Sequence, residues 1–141
     1  MSVCLTAFLM GYLEKTAVSV TDVIAQIESS GNPAAVSKKG TDVGLHQNTP
    51  IAVKQFNQTY PGKNYTLQDM LDPVKSLEVT QGNLKTYSDD FQRRHKREPT
   101  ELEQATMHHR SFYGNEKGGP ITGRYRIKYD RIKKRMMKQT P

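Results

Sequence analysis

Apolar positions repeat with a helical period over most of the chain. Val20, Val23, Ile24 and Ile27 mark one face of a helix, with Ser19 or Thr21 placed to cap it and Ser29-Ser30-Gly31-Asn32-Pro33 placed to end it. Residues 34–49 lose that period and carry Gly40 and Gly44, which predicts a loop or short hairpin. Pro50 opens a short helix through Phe56, and Tyr60-Pro61-Gly62-Lys63-Asn64 reads as a loop. Asp72-Pro73 starts the clearest helix, with an acidic N-cap, proline at the first helical position, and Val74, Leu77, Leu84 and Phe91 as a core stripe. It runs into the basic residues Arg93-Arg94-His95-Lys96-Arg97, which suit a helix C-terminus. Thr100 and Glu103 form a capping-box pattern for a helix over 101–112. Ile121, Tyr125, Tyr129, Ile132 and Met136 predict a final amphipathic helix. The expected class is mainly α, with a β contribution only from the hairpin around residues 34–49.

Composition narrows this picture. At 141 residues the chain fits one domain, 1–141, with enough length for a substantial core. The apolar segment from Val3 to Leu13 has no basic residue before it and only a poor cleavage site, Thr16-Ala17-Val18-Ser19, after it. It reads as a first core helix and not as a clear secretory signal. Cys4 within it reads as a small buried hydrophobe, and a lone cysteine excludes an internal disulfide or a multi-cysteine zinc site. No apolar run reaches the ~18 residues of a membrane span.

The net charge is +7, and it is unevenly placed. Residues 117–141 hold nine Lys/Arg against the single acid Asp130, whereas residues 1–116 hold twelve against thirteen. A basic terminal segment calls for an anionic partner: nucleic acid, an acidic membrane surface or a cell-wall polymer.

The candidate chemistry begins at Glu28, on the last turn of the first periodic helix, one residue off its apolar face. Partial desolvation there and the negative end of the helix dipole both favour a neutral carboxyl, the form a general acid needs. The plain alternative is an exposed last-turn glutamate. The surrounding string decides between them: Glu28, Ser29, Asn32, Pro33, Ala35, Ser37, Gly40, Gly44, Leu45, Gln47 and Pro50 follow the pattern E-S-x-x-N-P-x-A-x-S-x-x-G, then G-L-M-Q and a proline. This resembles the soluble lytic transglycosylase family of lysozyme-like enzymes that cut peptidoglycan. The form Asp42-Val43-Gly44-Leu45-His46-Gln47 is most similar to small single-domain members from phage, conjugation and secretion systems.

The resemblance covers about residues 20–114 and implies roles. Glu28 would be the sole acid/base, forming a 1,6-anhydromuramic product without consuming water. Ser29, Ser37 and Gln47 would orient the acid and the sugar, while Gly40 and Gly44 would let backbone approach the glycan. No cofactor and no metal is implied. His46 replaces the family's methionine, either to contact sugar or as an exposed loop residue. His108 or His109, with Phe112, Tyr113 and Gly114 following, stands where the family has a tyrosine motif. One of these histidines would do the tyrosine's work beside the acid. A metal site from His46, His108 and His109 is disfavoured, since adjacent histidines point to different helix faces.

Three other readings follow from the same residues. Asp42 could make the enzyme a hydrolytic muramidase with Glu28. The fold could bind glycan without cutting it. The basic terminus, with Tyr125 and Tyr129 to stack, could belong to a nucleic-acid-binding or virion structural protein, although the spacing turns both tyrosines toward the core. The expected site of action is the periplasm or cell wall, reached by phage-type delivery, with the basic final helix as an anchor on an anionic envelope surface.

Overall fold

A computed structural model describes residues 17–110 and 123–140. The segment expected to be helical over Val3–Leu13, with Cys4, and the residues Phe112, Tyr113 and Gly114 lie outside the described residues. The described helices are α1 (Val20–Ser29), α2 (Pro50–Thr59), α3 (Pro73–His95), α4 (Glu101–Arg110) and α5 (Gly123–Gln139), with a 3-10 turn, Gln68–Leu71, before α3. The expected mainly α class is the one observed.

Local chemistry sets the helix ends. The Ser19 hydroxyl accepts from Asp22 N–H at 3.2 Å while the Asp22 carboxylate accepts from Ser19 N–H at 3.0 Å, a reciprocal cap on α1. Ser30 and Gly31 then turn left-handed (φ 55° and 78°), and Gly31 N–H closes on the Ala25 carbonyl. Asp72 caps α3 through Val74 and Lys75 N–H, and Thr100 and Glu103 complete the expected box on α4. Helix α2 runs to Thr59, beyond the expected Phe56, because the first breaker is Pro61 and the Asn57 amide bridges to both backbone groups of Tyr65.

Two apolar clusters result. One joins α1, α4 and α5 through Val23, Ile24, Ile27, Ala105, Tyr125 and Ile132, with Leu84 of α3. The other places Phe56 and Val53 of α2 with Met70, Val79 and Val43. The expected stripe on α3 needs correction. Val74 is 73% exposed and Phe91 is half-buried beneath the Arg97 guanidinium. Of that stripe Leu84 is in the core; the buried face it shares is Ser76, Val79, Thr80, Asn83 and Tyr87, turned away from Val74 and Phe91 and rich in polar groups.

Those polar residues hold the 34–49 segment. It folds back on itself through antiparallel bridges Val36–Val43 and Val43–Asn48, not through extended strands. Buried Asn48 donates its side-chain amide to the Ser76 carbonyl and lies 3.2 Å from both the Ser76 and Thr80 hydroxyls. His46 Nδ1 sits 3.0 Å from Ser76 Oγ. At 2% exposure, His46 neither contacts sugar nor lies in an exposed loop, contrary to both expectations. Its ring faces α3 because that is where its polar partner is. Gly44 (φ 86°) lies against the Met70 backbone, where a Cβ would overlap the carbonyl oxygen. Its small size therefore serves packing on the 3-10 turn, not approach of a glycan; Gly40 (φ 68°) is required by turn geometry alone.

Two outcomes are expected. Gly44→Ala should destabilise the fold by about 2–4 kcal/mol in urea unfolding, from left-handed strain plus overlap with Met70. Burial first, and then neighbouring His108, push the His46 imidazole down to about 4, against the smaller opposing effects of Asp22 and the Thr21 backbone. The unfolded chain therefore binds the extra proton first, so stability falls as pH drops from about 6.5 toward 4, by on the order of 3 kcal/mol in the limit. His46→Met should flatten that slope in chemical denaturation across this range while losing about 1 kcal/mol at neutral pH with the Ser76 bond.

Candidate active site

The last turn of α1 carries Glu28 and Ser29 side by side. The Glu28 side chain keeps 17% exposure, so it is not the free surface glutamate of the plain reading. Ser29 Oγ lies 2.7 Å from the Leu45 carbonyl and 3.0 Å from the Ala25 carbonyl. One hydroxyl thus ties the Gly44–Gln47 turn to the helix that bears the acid. Gln47 adopts φ 52° and gives its side-chain amide hydrogens to the Ala35 and Gly44 carbonyls at 3.0 and 2.9 Å. That fixes its side chain along the wall of the Glu28 pocket.

Ser37 departs from its expected role. Its hydroxyl accepts from Thr41 and Asp42 N–H at 3.2 and 3.1 Å inside its own turn, and it does not line the pocket. Ser37 shapes the loop that carries Asp42; it touches neither the acid nor the cleft.

The two histidines of α4 separate cleanly. His109 Nδ1 stands 3.1 Å from Glu28 Oε1, and its ring stacks on Tyr125 with centroids 4.7 Å apart. His108 donates from Nε2 to the His46 carbonyl at 2.8 Å, since a carbonyl can only accept. Burial lowers the His108 pKa, against the opposing effects of this same bond and of Glu28, and so favours the neutral ring with its proton on Nε2. His46, His108 and His109 therefore point at three different partners: Ser76, a backbone carbonyl and Glu28.

Helix α5 closes the far side. Tyr125 donates to the Ala105 carbonyl at 3.1 Å, and Lys128 Nζ donates to the Ile27 carbonyl at 3.0 Å. The ammonium thereby covers an open carbonyl at the negative end of α1, next to the acid. Tyr125 and Tyr129 are 7% and 3% exposed, so their rings are closed to the base stacking that a nucleic-acid reading requires.

The resulting pocket, about 140 Å³, is lined by Glu28, Asp42, Gln47, Asn48, His108 and His109 among others. Asn83 and Tyr87 of α3 complete it, a pair that the apolar reading of α3 missed. Asn83 is held by the Ala52 carbonyl at 2.9 Å and Tyr87 by Gln55 Oε1 at 2.6 Å. Both also line a second polar groove of about 690 Å³ that continues past Gln55 and Gln58 toward Asp89 and Arg93. The site is thus the acidic end of a polar trough along α3, a form suited to an extended polymer. The missed signal was the run Ser76, Thr80, Asn83, Tyr87: hydrogen-bonding side chains at spacings of four, three and four on one helix face.

A family model described as the transglycosylase SLT domain matches residues 13–100. No curated protein and no solved structure matches the chain. The matched residues include the whole Glu28–Pro50 motif, α1, α2 and α3, and end before His108 and His109. With more than half of its length matched, the chain belongs to the transglycosylase SLT domain family.

Proposed function

We propose that this chain is a peptidoglycan lytic transglycosylase that cuts the β-1,4 bond between N-acetylmuramic acid and N-acetylglucosamine, with Glu28 as its acid/base. The observation that carries the reading is the Glu28 carboxyl, largely enclosed at the end of α1, facing a polar trough and hydrogen-bonded to His109. Glu28 protonates the glycosidic oxygen as the bond breaks, and the departing sugar leaves with that proton. The Glu28 carboxylate then takes the proton from the muramoyl C6 hydroxyl, whose oxygen closes on C1 to form the 1,6-anhydro ring. The proton returns to Glu28 and no water is consumed. The muramoyl N-acetyl group stands in for a second carboxylate, as in substrate-assisted glycosidases.

His109 is the positioning residue for this cycle. His109 Nδ1 lies within hydrogen-bond reach of Glu28 Oε1, at 3.1 Å, so the imidazole orients the carboxyl through that one oxygen and leaves the other for the sugar. Stacking on Tyr125 keeps the ring in that orientation. Ser29 and Gln47 act one step further out, by holding the loop against the acid's helix. A second reading rests on Asp42, which lines the same pocket. If its carboxylate activates water, the enzyme is a hydrolytic muramidase with a reducing muramic end.

Glu28→Gln should reduce cleavage of purified sacculi by roughly 100-fold or more while leaving the fold intact by circular dichroism. Mass spectrometry of the digest should show 1,6-anhydromuramic ends; reducing muramic ends, together with loss of cleavage in Asp42→Asn, would establish the hydrolase instead. His109→Leu should lower kcat roughly tenfold or more with KM little changed, and His109→Tyr should recover most of it by putting a hydrogen-bonding hydroxyl beside Glu28. An unchanged kcat and pH profile in His109→Leu would remove the residue from the mechanism.

A further inference from the structure

The excess charge of the chain is concentrated on α5, and the helix arranges it. Tyr125, Tyr129 and Ile132, with Met136 at the edge, face the core. Arg124, Lys128, Arg131, Arg135 and Lys138 follow one another at spacings of four, three, four and three, which puts all five on a single face. That face is roughly 21 Å long at the rise of an α-helix. All five residues are exposed, as is Lys134 beside them. Among the described residues no carboxylate pairs with Arg124, Arg131, Arg135 or Lys138. The acidic contacts of α5 lie elsewhere: Lys133 pairs with Glu101, and Tyr129 donates to the same carboxylate. Lys133 is therefore not part of the stripe, although it sits in the basic run Arg131–Arg135.

One end of the stripe is at the active site. Lys128 reaches the Ile27 carbonyl, one residue from Glu28, and neighbouring Tyr125 stacks on His109. The five cations lie outside the pocket and the groove themselves, so what they can meet of a polymer held there is the part that projects from it. Five like charges in a row, with Asp130 the one acid of the helix and off to their side, repel one another unless an anionic partner lies along them. Peptidoglycan strands carry peptides with free carboxylates, and guanidinium groups pair with carboxylates in two-point fashion.

We propose that the Arg124–Lys138 stripe is a substrate-docking surface that binds the acidic stem peptides of peptidoglycan while the glycan occupies the Glu28 trough. The assignment rests on the transglycosylase reading for its polymer, and it adds a second point of attachment specific for peptide-bearing strands. Binding at the stripe is electrostatic, so it weakens as salt shortens the screening length.

The test separates binding from cleavage. Full-length Glu28→Gln protein is pelleted with purified sacculi, and with glycan strands stripped of peptides by an amidase, at low and at high salt. In that background the triple change Arg131→Glu, Arg135→Glu and Lys138→Glu should weaken sacculus binding roughly tenfold or more at low salt. Binding to stripped strands should not change. The milder triple glutamine variant should show the same direction, with a thermal midpoint matching the parent, so that misfolding is separated from lost charge. In the active chain the triple change should leave turnover on stripped strands as it was. Equal loss on both substrates, or no loss on sacculi, overturns the proposal. So does a variant that keeps sacculus binding but loses binding to phosphatidylglycerol vesicles or to duplex DNA. Because pelleting uses a non-cleaving protein, a chain that binds through the stripe yet never cuts would reject the catalytic reading and leave the docking surface standing.

Discussion

The arrangement depends on one buried knot of hydrogen bonds. Asn48 and His46 meet Ser76 and Thr80 beneath the 34–49 segment, and the His46 carbonyl receives His108 from α4. Three elements are joined there without an extended sheet, which this segment's two isolated bridges do not provide. Buried polar groups are costly when unpaired, so the knot admits essentially one register of loop on helix. The Ser29 bond to Leu45 then transfers that register to the end of α1. The position of Glu28 relative to the trough is therefore set by groups that never touch a substrate.

Much of this was legible in the sequence. Helix starts followed from capping chemistry at Ser19, Asp72 and Thr100, where a short side chain meets orphan N–H groups, and from Pro50 at the first turn of α2. Glu28, Ser29 and Gln47 came from the motif, and each stands in or beside the pocket. Periodicity found Leu84 on α3 but not the rest of its buried face, because that face is partly polar: Ser76, Thr80, Asn83 and Tyr87 carry the contacts an apolar search assigns to Val74 and Phe91. His46 was misjudged for the same reason. A histidine in a glycine-rich loop looks like a surface residue until the hydroxyl that pairs with it, thirty residues away, is known. The choice between His108 and His109 needed three dimensions, since only packing shows which ring faces the acid.

The two lobes of the core differ in how they serve the site. Around Phe56 the packing is aromatic and close, with Tyr60 and Tyr65 at 4.8 and 5.7 Å, and Gly82 lets α3 approach the Phe56 ring. That side gives the trough a firm floor under Asn83 and Tyr87. The α1–α4–α5 side is assembled from helices distant in sequence, and it supplies what surrounds the acid.

The stack of His109 on Tyr125 has a wider consequence. The family match ends at residue 100, so the acid and its loop lie inside the shared unit, while the imidazole, the aromatic ring and the ammonium around it come from the following forty-one residues. The Glu28 carboxyl and the groups that surround it thus lie on opposite sides of the end of the family match. A fragment cut at the family boundary would keep the motif intact and lose the wall that conditions it, and grafting a different terminal segment onto the same motif is a route to changing how the acid behaves without altering the acid.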